Sequence, residues 1–145
     1  MQAPMNVLPQ EGVPLSNAIP FVNYLTLGDN PHLVAHECKA CSARFFDRRN
    51  ACAGCSGTEF QSVDIATQGE VRSFTIVAFA APGIEVPFIS AIIDCGGTSV
   101  RGNIVNVEAS PDHVKLGMPV KLTTFPIGKD EQGVEAINFG FEPAA

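Results

Sequence analysis

Four of the chain's five cysteines fall between Cys38 and Cys55, in the segment ECKACSARFFDRRNACAGC, as two Cys-x-x-Cys pairs separated by ten residues. A tetrahedral metal ion needs four soft ligands whose backbones converge on one centre. Two such turns, facing each other across a short hairpin, supply them. Cys38 and Cys41 then form one turn, and Cys52 and Cys55 the other. Gly54 and Gly57 let the backbone curl around the ion, while SARFFDRRNA runs out and back between the pairs.

Competing thiol chemistries fit less well. A thioredoxin-type redox couple accounts for one Cys-x-x-Cys within a βαβ pattern, not for a second copy in a chain rich in strand signals. A disulfide frame needs an oxidising compartment, and the N-terminus MQAPMNVLPQEGVPL has no basic region followed by an apolar run. Iron uses the same four thiolates, and spacing does not separate it from zinc. One structural Zn2+ is the reading these residues favour. Four cysteines leave no position open for water, so the site is expected to be architecture, not chemistry.

The remainder reads as β structure. Of 145 residues, 46% are hydrophobic and 17% charged, with 13 Gly and 11 Pro, leaving little material for long helices. Beyond the cysteines, β-branched and aromatic runs alternate with turn residues: FQSVDIA, GEVRSFTIVAFA, VPFISAIIDC, TSVRGNIVNVE, MPVKLTTFPI and VEAINFGFEP. Five or six strands of this length can close into a small barrel. The expected organisation is an extended arm over 1–17, a short helix over 18–31, a metal ribbon over 32–58 and a barrel over 59–145. Within the barrel, SPDHVKLG suggests a single helical turn capped by Ser110 and ended by Gly117. No apolar stretch approaches the length of a membrane span, and a cytoplasmic location is expected.

Catalytic signatures are scarce. Cys95 ends a strand in AIIDCGG, and the neighbouring Asp94 opposes thiolate formation, so a buried structural thiol is expected. His32, His36 and His113 are unneeded as ligands once four thiolates are present. No Gly-rich phosphate loop, Gly-x-Ser-x-Gly elbow or His-Glu-x-x-His occurs.

A ribbon followed by a small barrel, in this order and at this length, resembles the thiolase-associated zinc-ribbon/OB-fold family, domain of unknown function 35. The likeness runs from about Phe21 to Pro143. It includes RFFDRR between the cysteine pairs, Gly69-x-Val71-x-Ser73 opening the long strand, Pro87 and Asp94 bounding the next, and Gly117-Met118-Pro119-Val120. Asp47 stands where the family usually has Pro. The resemblance implies a rubredoxin-like zinc ribbon, an OB-fold barrel and a partner: family members lack an active site and assemble with thiolase-fold enzymes. Those enzymes include acyltransferases, thiolases and steroid side-chain retro-aldolases, whose CoA thioester the small subunit meets through its partner.

On that reading Phe45 and Phe46 are candidate partner contacts, two adjacent aromatics fit for a desolvated interface. Lys39, Arg44, Arg48 and Arg49 are candidate contacts to CoA or to a partner's acidic rim. Nucleic-acid binding is the alternative, since barrels and ribbons both serve it. Charge argues against it: the chain carries −6, and residues 60–145 hold five basic side chains against ten acidic ones.

Overall fold

The computed structural model describes residues 18–144, all of whose regular elements are strands. The 1–17 arm lies outside the described residues. Five strands form the barrel: β6 (Gln68–Val77), β7 (Phe88–Cys95), β8 (Thr98–Ile104), β9 (Pro119–Lys129) and β10 (Glu135–Pro143). Their neighbour order is β6-β7-β8-β10-β9, and β9 pairs back with β6 to close the ring. All these pairings are antiparallel except β8 with β10, which meet in parallel at Ile104 and Phe141. A closed five-stranded ring with this order is an OB-fold.

Closure follows from period-two patterning. Ile89, Ala91, Ile93 and Cys95 of β7 point inward while Ser90, Ile92 and Asp94 face out. Thr98, Val100 and Ile104 do the same on β8, and Phe139 and Phe141 fill the middle from β10. Gly69 is dictated by crowding: β6 there pairs with both β7 and β9, and a Cβ at Gly69 would clash with the Asp94 carbonyl oxygen and the Ile93 side chain.

The ribbon is built on β3 (His32–Cys38), joined by β2 (Leu25–Thr26), β4 (Arg44–Phe45) and β5 (Phe60–Asp64). β5 therefore belongs to the ribbon's sheet, and the barrel's own strands begin at Gln68. The two modules share one core: Leu25, Leu33, Ala35 and Ile65 pack in the same cluster as Val71, Ile93 and Phe141. Tyr24 spans the seam, its ring 4.9 Å from Phe46 and 6.0 Å from Phe139.

The helix expected over 18–31 is replaced by two short strands. β1 (Ala18–Pro20) pairs in parallel with β10, the Phe21 N–H donates to the Ile137 carbonyl at 2.7 Å, and β2 pairs with β3. A helix this short is marginal, the residue before Pro20 favours extended backbone, and neighbouring strand edges offer hydrogen bonds that a helix would forgo. The segment around Ser110 is likewise a turn, not a helical one: the His113 N–H reaches the Ser110 carbonyl at 3.0 Å. Gly117 closes a further turn at φ 81°. Among the described residues no helix is long and apolar enough to cross a membrane.

Candidate metal centre

Strand β3 ends at Cys38, and the chain then turns to deliver Cys41; a second turn delivers Cys52 and Cys55. The two turns are near copies. In each, the serine after the second cysteine adopts φ 68° (Ser42, Ser56). The Ser42 N–H donates to the Cys38 carbonyl at 2.9 Å, and the Ser56 N–H to that of Cys52 at 2.8 Å. Cys38 and Cys52 in turn donate their N–H groups to Ala43 and Gly57 at 2.8 and 2.7 Å. The repeated Cys-x-x-Cys-Ser carries this two-fold relation in the sequence itself.

All four Sγ atoms lie within 4.8 Å of one another, with Cys38–Cys55 and Cys41–Cys52 both at 3.6 Å. Zn–S bonds of about 2.3 Å place tetrahedral vertices about 3.8 Å apart, so the donor set fits one zinc ion. Gly57 is part of that fit, since a Cβ there would stand 3.3 Å from the sulfurs of both Cys38 and Cys55.

Backbone dipoles prepare the cage. N–H groups of Cys41 and Ala40 lower the Cys38 pKa against the cost of burial. For Cys52, burial opposes ionisation, but N–H groups of Gly54 and Cys55 and the Cys41 thiol outweigh it and draw the thiol down to about 7. The second thiol of each pair goes the other way. Cys55 receives the Gly57 N–H, yet the sulfurs of Cys41 and Cys38 push it up to about 12. Cys41 is raised as well: the Ala43 N–H lowers it, but the Cys52 sulfur, burial and the Cys38 sulfur together outweigh that. Four sulfurs this close become thiolates together only with a cation among them.

The basic side chains of the ribbon have separate fates. Arg44 bridges the modules, donating from Nε to Glu37 at 2.8 Å and from Nη1 to Thr98 Oγ1 on β8 at 2.8 Å. Its hydrogen bond, followed by that from Gln61, holds the Glu37 carboxyl below its usual pKa. Arg49 pairs with Asp47 at 3.3 Å and lies 4.3 Å over the Phe45 ring. Arg48 donates to Asn50 at 3.1 Å, and neither Arg48 nor Lys39 has a carboxylate partner among the described residues. The two phenylalanines diverge: Phe46 packs on the shared core beside Tyr24, and Phe45 stands edge-on to Phe60 at 6.3 Å under Arg49. Sequence reasoning missed the Arg44–Thr98 link, because no local pattern joins residues that distant along the chain.

Other titratable groups fall outside this centre. Ser110, His113 and Glu108 lie close together, but the Ser110 hydroxyl (2.7 Å) and the Glu108 carboxylate (3.8 Å) both approach Nδ1. A relay needs base and orienter on different ring nitrogens, so this is an exposed turn contact. Cys95 is buried, and desolvation, then Asp94, pushes its thiol up to about 11, away from nucleophilic reactivity.

A four-cysteine ribbon whose core continues into a closed OB barrel defines a two-module zinc-ribbon/OB-fold protein. Comparison with known proteins agrees module by module: residues 26–61 match the rubredoxin-like zinc ribbon domain of ChsH2, and residues 62–125 match the ChsH2 C-terminal OB-fold domain. A DUF35 domain-containing scaffold protein of Methanocaldococcus jannaschii is 30% identical, over 77% of this chain and 81% of the relative. The chain belongs to this DUF35 family of ChsH2-like proteins. It is also 27% identical to the benzoylsuccinyl-CoA thiolase subunit BbsA of Geobacter metallireducens, over 81% of this chain and 79% of that subunit. Among solved structures it resembles an Ltp2-ChsH2(DUF35) aldolase chain, with a TM-score of 0.60 at 27% identity over 79% of this chain and 86% of the other.

Proposed function

We propose that this chain is a non-catalytic zinc-binding subunit that assembles with a thiolase-fold acyl-CoA enzyme, stabilises it and helps to shape its substrate entrance. The carrying observation is the kinship, over about four fifths of the chain, with a thiolase subunit and with a chain of an Ltp2-ChsH2(DUF35) aldolase. The geometry supports it. The four thiolates close the metal's coordination sphere, leaving the ion to fix the hairpin while the bond chemistry belongs to the partner. On the ribbon, Lys39 and Arg48 are the cations left to meet CoA phosphates or an acidic rim of the enzyme.

Native mass spectrometry of the tagged chain, purified gently from its own host, tests the proposal. The expected result is a thiolase-fold protein of roughly 40 kDa, the size of a two-core α/β subunit, at fixed stoichiometry with one zinc per copy of this chain. A zinc-loaded chain without that enzyme, or one carrying nucleic acid, refutes it.

A further inference from the structure

The barrel carries a surface that neither the zinc cage nor the ribbon junction uses. Between β6 and β7, residues 78–87 (AFAAPGIEVP) are all exposed, and Glu85 is their one charge. Phe79 is 87% exposed and Ile84 54%. Soluble monomers seldom leave so continuous an apolar segment in water unless something covers it. Through Glu85 the loop walls a groove of about 530 Å³, completed by Phe21 beyond β1, Arg101 on β8, and Phe125 and Ile127 on β9. Ile127 and Phe21 are themselves about half exposed.

Charge gives the groove its second property. Arg44, Arg49 and Arg72 each pair with a carboxylate of the chain, whereas Arg101 and Glu85 pair neither with each other nor with another described residue. An apolar cleft holding one unmatched cation and one unmatched anion suits a protein segment of complementary charge. A lipid surface fits poorly, because 78–87 contains no Lys or Arg and Glu85 repels anionic headgroups. A second copy of the chain brings a further −6 against the first.

We propose that this groove, bordered by Glu85 of the 78–87 loop, is where the thiolase-fold enzyme docks, inserting an apolar segment whose acidic side chain pairs with Arg101. The inference rests on the accessory-subunit reading and assigns that function to the barrel face.

The test is quantitative binding of the full zinc-loaded chain to the enzyme that co-purifies with it, comparing wild type with Ile127→Asp, Arg101→Glu and Leu116→Ser. Leu116 is an exposed apolar residue in the turn beside Val71, at the other end of β6 from the loop. All three side chains are exposed, and unchanged zinc content and thermal midpoint verify folding. The expected result is a roughly tenfold or greater rise in Kd for the two groove variants and none for Leu116→Ser. If the wild type binds the enzyme and both groove variants bind within about threefold of it, docking lies elsewhere and the accessory-subunit reading stands. If the wild type captures no thiolase-fold enzyme, that reading fails and the groove assignment fails with it.

Discussion

Removing the zinc ion is expected to melt the cysteine hairpin and leave the barrel folded. From Lys39 to Asp64 the one buried side chain is Cys52, itself a ligand. Phe46 and Val63 lean on the shared core from this segment, but the two cysteine turns have no apolar core of their own, so the metal holds them, together with the four turn hydrogen bonds made by Cys38, Ser42, Cys52 and Ser56. Structural zinc contributes about 10–16 kcal/mol of apparent binding free energy in small modules. Even about 4 kcal/mol of that, felt locally, changes amide exchange by about a thousandfold.

The barrel has its own closed hydrogen-bond ring and its own centre at Ile89, Ile93, Val100 and Phe141, all essentially inaccessible to water. Hydrogen exchange read by mass spectrometry, with and without a strong chelator under reducing conditions, separates the two. Peptides covering 39–58 are expected to lose at least that thousandfold in protection, while β7 stays within about tenfold of the zinc-loaded protein. Equal loss in β7 would refute the reasoning: the core shared through Leu33, Ala35 and Ile65 would then make ribbon and barrel one cooperative unit. Undiminished protection over 39–58 would refute it from the other side.

Two further predictions concern the barrel. Phe141→Ala removes a ring wholly enclosed by the core, including the space that Gly102 leaves open for it, and should cost about 3–5 kcal/mol in urea unfolding; a loss below about 1 kcal/mol would contradict that packing. For Cys95, a thiol pKa near 11 against an ordinary 9.0 predicts alkylation about a hundredfold slower than a free thiol at pH 8, read by intact mass, and comparable rates would contradict it. Because the folded pKa is raised, this group's contribution to stability is full below about pH 9 and disappears as pH rises through about 11, so the alkaline loss of stability should be smaller in Cys95→Ala.

Much of this protein is legible along the chain. Cysteine spacing determined the metal cage, because ligand geometry is local: each Cys-x-x-Cys turn aims its own two sulfurs, and only the meeting of the turns is left to the hairpin. Runs of β-branched and aromatic residues bounded by Gly and Pro marked the barrel strands, and alternation in β7 fixed its face, since a one-residue slip would turn Ile89, Ala91 and Ile93 to solvent. Tertiary structure decided what depends on competition between distant groups. The stretch around Phe21 and Tyr24 reads as a short helix until the edges of β10 and β3 claim its backbone. Phe45 and Phe46 are indistinguishable as letters, yet one packs on the shared core and the other lies beneath an arginine. Arg44 reaches Thr98 across the module boundary, and Phe21, Arg101 and Ile127 share a groove only because the barrel closes. Local ligand spacing and strand periodicity act within a few residues and are written in order along the chain, whereas edge pairing, burial and surface shape are settled by whatever folding brings alongside.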